Sequence, residues 1–187
     1  MKLSSKRYEE IKKIAIKMIV GYNISSFPIN SCEIANKMGI ELVPYSKFTG
    51  ETYELFLKVS EDGFCIYKNN KWYIYYNEKK CFGRVSYTIM HEIGHILLDH
   101  TQDSELAEKE VNFFAKYALA PPPLIHALHI DNTTALKNFF DVSDEVARYA
   151  LEYYNKWLKI TCGFYSEYEL QLVELFTKDI RKIRRVS

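Results

Sequence analysis

Between residues 7 and 21, apolar side chains recur at Tyr8, Ile11, Ile14, Ala15, Met18 and Ile19. That spacing puts them on one face of a helix, and Gly21 offers an end. In NSCEIANKMGI, Ser31 can cap a short helix over 32–38 that Gly39 terminates. IELVPY at 40–45 has strand character, whereas 46–62 is polar and harder to place. In GFCIYKNNKWYIYYN, at 63–77, two aromatic and β-branched runs flank Asn69-Asn70, the pattern of a β-hairpin. Helical spacing then returns. One helix is predicted from about Arg84 to Leu98. A second spans roughly Ser104–Leu119 and stops at Pro121-Pro122-Pro123. A short helix follows around 133–140, then one from 142 that Ser143 can cap. The last, over 165–185, ends in Lys178, Arg181, Lys182, Arg184 and Arg185.

Helices, a small sheet and helices again suggest an α+β fold rather than alternating βαβ units. We read residues 1–187 as one domain with a helical N-terminal part (1–39), a sheet with central helices (40–120) and C-terminal helices (121–187). Composition agrees, with 48% hydrophobic and 26% charged residues, enough for a real core. A net charge of +1 offers no strong field to nucleic acid or membrane. No apolar run approaches the roughly 20 residues of a membrane span. Lys12, Lys13 and Lys17 interrupt the N-terminal segment, which is therefore no signal peptide. Cys32, Cys65, Cys81 and Cys162 are too scattered for a cysteine metal site and read as free thiols. The expectation is a soluble cytoplasmic protein.

Candidate chemistry sits at residues 91–100, HEIGHILLDH. His91 and His95 are one turn apart, so both imidazoles can reach one tetrahedral zinc at about 2.0–2.1 Å. Glu92 is rotated too far to be a third ligand from the same helix, but it can act as the base toward a water on that zinc. Gly94 costs roughly 1 kcal/mol of helix stability relative to Ala, which is tolerable where a sheet or chain must approach the helix closely.

The third ligand is less evident. A three-histidine site of the HExxHxxGxxH type needs a glycine and a later histidine where this chain has Leu98 and Thr101. His100, five residues beyond His95, would point about 140° away on a continued helix. We expect it to be a solvated histidine at the helix end, favoured by the dipole. Asp99 reads as a plain surface carboxylate. The next helix offers Glu105, Glu108 and Glu110. Glu110 is about 200° round from Glu108, so only one of that pair can face the metal. Asn112 and Ala115 share the face of Glu108, and the Asn112 amide could orient a ligating histidine. Glu105 suits an acidic helix start. For a transition-state oxyanion, Tyr117 lies opposite Glu108 and His126 and His129 read as surface residues, so no donor is assigned.

YTIMHEIGHILLDH followed by EKEVNFFAKYALAP resembles the ImmA/IrrE metallopeptidases, whose pattern runs close to FTxAHELGHxLLxH and then ExEANxFAxxLLxP. INSCEIANKMGIELVPY and FFDVSDEVARYAL extend the resemblance to roughly residues 10–150. It implies a zincin-like fold binding Zn2+, with His91, His95 and Glu108 as ligands, Glu92 as catalytic base and Asn112 as the motif's asparagine. Val111, Tyr87 and ALAPPP depart from the pattern without touching a ligand. The implied substrate is a helix-turn-helix repressor of a mobile element, prophage or stress regulon. An extended peptide could add to the edge of the 63–77 hairpin. A different class of function is a scaffold that sequesters a repressor or antitoxin without cleaving it. Direct nucleic-acid binding by the basic tail is not expected, because its cations suit an ordinary solvated helix end.

Overall fold

The computed structural model describes residues 3–102 and 104–184. Helix α1 (Ser5–Gly21) is capped by Ser4, whose side chain accepts the N–H of Arg7. Helix α2 (Ser31–Lys37) is capped by Asn30 instead of the expected Ser31. The Asn30 amide oxygen takes the N–H groups of Cys32 and Glu33. Ser31 is the first helical residue and is buried, its hydroxyl 3.2 Å from that of Ser86. A left-handed Gly39 (φ +74°) ends this segment as expected.

Strand β1 (Glu41–Pro44) leads through a 3-10 turn at Tyr45–Lys47 into α3 (Glu51–Val59), within the stretch that the sequence left unplaced. All of α3 stays at least partly exposed. It is anchored by Phe56 against the rings of Tyr45, Phe64 and Tyr75. Strands β2 (Gly63–Lys68) and β3 (Lys71–Tyr76) form the hairpin, in register from Gly63–Tyr76 to Lys68–Lys71. Asn69 and Asn70 both have positive φ (53° and 57°), as a two-residue turn matching the strand twist demands. β1 runs parallel to β3, so the sheet order is β1-β3-β2 and β2 is an edge strand.

Helices α4 (Phe82–Leu97) and α5 (Glu105–Leu119) pack against one another, and α4 also lies against the hairpin and α2. Ile89, Met90 and Ile93 of α4 meet the core that Val111, Phe114, Ala115 and Ala118 of α5 help to form. Each fully buried Ile, Met, Val or Phe side chain among them contributes roughly 1.5–3 kcal/mol. Pro121-Pro122-Pro123 ends α5 but does not end helical structure. Pro122 and Pro123 occupy the first turn of α6 (Pro122–Leu128), where a missing N–H costs nothing. Then follow α7 (Thr133–Phe140), α8 (Asp144–Thr161, capped by Ser143) and α9 (Glu167–Arg184). Of the basic tail, Arg185 lies outside the described residues. The fold is α+β, with a small sheet among helices. The four cysteines are thiols not joined in disulfides, and no described helix is long and apolar enough to cross a membrane.

Candidate metal centre

His91 and His95 project from one face of α4, with their Nε2 atoms 3.2 Å apart. Glu108, near the start of α5, reaches across to both. Its Oε2 is 3.5 Å from His91 Nε2 and its Oε1 is 3.3 Å from His95 Nε2. Bonds of about 2.0–2.1 Å in a tetrahedral site put ligand atoms about 3.3–3.4 Å apart. The two histidine nitrogens are about that close, each faces a different Glu108 oxygen at a similar distance, and one ligand atom from each residue lies within 4.8 Å of the others. The residues present therefore fit a bound metal ion.

Electrostatics point the same way. Burial, and then the neighbouring His95, push the His91 imidazole down to about 4. Near neutral pH it is thus the uncharged ring, with a lone pair to donate. Two imidazole nitrogens and a carboxylate facing one another make an acceptor-rich point that a cation would satisfy.

Gly94 lets this happen. A Cβ there would sit 2.9 Å from Phe114 Cδ1 and 3.4 Å from Val111 Cβ. Without one, α5 settles close against α4, and Glu108 faces the histidines across the contact. The glycine suggested a sheet or chain as the close neighbour, and the neighbour is the helix α5.

Glu92 is 8% exposed and lines the same cleft as His91 and Glu108. Asn112 lies between the two helices. Its Nδ2 donates to the Glu108 carbonyl (2.6 Å), and its Oδ1 accepts from the Tyr87 hydroxyl (2.5 Å). Its side chain also hydrogen-bonds His91. Tyr87, one turn before His91, is largely buried, and that burial raises its phenol well above the usual range.

The cleft encloses about 320 Å³ between α4, α5, the start of α8 and the residues entering β2. Sequence reasoning missed part of its wall. Arg84 pairs with Asp62 through two hydrogen bonds of 3.0 and 2.5 Å, tying α4 to the turn before β2. That pairing, with burial opposing it, holds the Asp62 carboxyl below its ordinary range. Glu145 of α8 also lines the cleft and is held by Lys116 at 2.9 Å. Single charged residues far apart in the chain carry no spacing signal that could have joined them.

The other candidates lie elsewhere. Glu105 is exposed on the first turn of α5 and pairs with Lys109. Glu110 faces away from the three ligand atoms and binds Arg7 of α1. Asp99 is exposed. Tyr117 is buried, and His126 faces Tyr154 at 3.0 Å, away from the cleft.

His100 requires a correction. Expected to be solvated, its side chain is only 12% exposed, with Nδ1 3.3 Å from His95 Nδ1 and Nε2 3.0 Å from Glu110. The extrapolation failed because the helix does not continue. Asp99 takes a left-handed conformation (φ +56°), the chain turns back, and the His100 N–H bonds the His95 carbonyl. Aspartate tolerates this conformation better than most residues, which is the one signal a sequence reading could have used.

A comparison with curated proteins returns no match. Residues 35–152, well over half of the chain, match Peptidase_M78, described as an IrrE N-terminal-like domain. The interval runs from α2 into α8 and includes His91, Glu92, His95, Glu108 and Asn112. This family suggests a function of metallopeptidase type, and the metal it implies has a fitting His/His/Glu donor set here. The chain belongs to the Peptidase_M78 family of IrrE N-terminal-like domains.

Proposed function

We propose that this protein is a zinc-dependent endopeptidase that hydrolyses a peptide bond in a regulatory protein, namely a helix-turn-helix repressor of a mobile element, prophage or stress regulon. The observation that carries the reading is the convergence of His91 Nε2, His95 Nε2 and a Glu108 oxygen within 4.8 Å, in the cleft that Glu92 also lines. His91, His95 and Glu108 would hold the ion, giving the site a zincin-like arrangement. Zinc supplies Lewis-acid polarisation and a water acidic enough to ionise near neutral pH. Glu92 takes the proton of the attacking water and returns it to the departing amine. Asn112 steadies His91 and the Glu108 backbone from behind. The edge strand β2, whose first residue Gly63 lines the cleft, offers backbone groups to an extended substrate. Free thiols and a regulatory substrate both suit the cytoplasm.

Co-expression with the product of the neighbouring regulator gene tests the proposal. Wild-type protein should generate a fragment that disappears with a chelator and with Glu92→Gln. Cleavage that survives Glu92→Gln overturns the assigned chemistry. Equal recovery of intact regulator with both forms would favour sequestration without hydrolysis.

A further inference from the structure

We propose that His100 is a positioning residue for His95, held in turn by Glu110 and Arg7, so that α1 braces the metal centre from outside the cleft. The inference rests on the metal reading of His91, His95 and Glu108.

The contacts form one chain. His95 Nδ1 and His100 Nδ1 are 3.3 Å apart, and His100 Nε2 is 3.0 Å from Glu110 Oε2. Arg7 closes on Glu110 with both arms of its guanidinium, Nε to Oε1 at 2.8 Å and Nη2 to Oε2 at 2.5 Å. Glu110 is 5% exposed, so its charge is withdrawn from solvent and answered by Arg7.

Donor direction gives the chain its meaning. An ionised carboxylate only accepts, so His100 Nε2 carries the hydrogen toward Glu110. In a neutral ring, His100 Nδ1 is then an acceptor, and His95 must donate to it from its own Nδ1. That leaves the lone pair of His95 on Nε2, the atom that faces Glu108 at 3.3 Å. The network thus selects the tautomer and ring orientation a metal ligand needs, before any metal arrives. Such partners behind a ligating histidine raise metal affinity by about 10–100-fold.

Arg7 adds something particular to this chain. The family match begins at residue 35, so the outermost member of the network comes from a helix outside the matched interval.

The test uses the full chain, stripped of metal by chelator, as wild type, His100→Leu, His100→Asn and Arg7→Met. Zn2+ affinity is measured by chelator competition, and the site is read independently from the visible absorption of bound Co2+. His100→Leu should bind Zn2+ about 10–100-fold more weakly and alter the Co2+ spectrum. His100→Asn, whose amide oxygen can stand in for Nδ1 as acceptor, should recover most of the loss. Arg7→Met should show a smaller loss of the same sign. Thermal unfolding of the metal-free proteins shows which variants fold. A folded His100→Leu with wild-type Zn2+ affinity and an unchanged Co2+ spectrum overturns the inference. Should His100→Leu not fold, Arg7→Met with unaltered affinity does the same. Failure of the wild type to take up Zn2+ removes the metal reading itself, whereas tight wild-type binding with no loss in the variants removes only the positioning role.

Discussion

The cleft at α4 and α5 and the groove between α1, α8 and α9 differ in how their polar groups are spent. The groove is the larger, at about 700 Å³, and is walled by Tyr8, Tyr153, Trp157, Ile160 and Phe164. Its buried carboxylate is committed to the fold. Glu169 Oε1 accepts from Trp157 Nε1 at 2.8 Å, and Oε2 accepts from the Ser166 backbone and hydroxyl at 2.8 and 2.7 Å. Glu169 thereby caps the Ser166 N–H at the start of α9, one half of a capping box, and joins it to a tryptophan. The cleft is less than half that volume, at about 320 Å³, yet its acceptors point at one another across distances suited to a metal ion. Size and apolar lining would select the groove as the ligand site. The comparison teaches that convergent lone pairs locate chemistry better, because that arrangement is unfavourable unless something positive joins it.

The sharpest way to break the comparison is Glu92→Gln. It should lower kcat/KM for a cleaved peptide by about 10²–10⁴-fold while metal content, measured by elemental analysis, stays the same. Metal removal should act next. At metal concentrations a hundredfold above the dissociation constant, the bound form gains about 2.7 kcal/mol. A chelator should therefore lower the melting temperature and added Zn2+ restore it, whereas a Glu108→Ala protein should show no such response. In the groove, Glu169→Ala strands the Trp157 N–H and removes the α9 cap. It should cost about 1–3 kcal/mol in denaturant melts yet leave Zn2+ affinity untouched. A loss of metal there would mean the two surfaces are coupled.

Gly94→Ala should have the smallest effect. Its Cβ meets the buried Phe114 ring, an overpacking cost of about 1–3 kcal/mol, offset by about 1 kcal/mol of helix propensity. If α5 is pushed away, Zn2+ affinity should fall along with stability. Unchanged affinity would show that the spacing of α4 and α5 tolerates the added methyl.

Much of this was legible in the chain itself, and the reason is local. Helical periodicity is a property of one segment, so the shared face of His91 and His95 follows from their spacing alone. Asn69-Asn70 announces its turn because few residues accept two positive φ values in succession. Ser143 caps α8 as read, from its position before an apolar run. The choice of Glu108 over Glu110 came from the resemblance to a family, since rotation about the α5 axis says only that the two point apart.

Tertiary structure decided the rest. Ser31 and Asn30 are both capping residues by type, and burial of Ser31 against Ser86 left the cap to Asn30. The stretch at 46–62, hard to place from the chain alone, holds the short helix α3, none of whose residues is fully buried. The end of α4 is where extrapolation failed, since one left-handed residue at Asp99 sends His100 back toward His95. Angles within a helix are written in its own sequence. Distances between atoms on different helices, here those joining His91, His95 and Glu108, depend on how closely the backbones pack, and that was decided where Phe114 and Val111 close over Gly94.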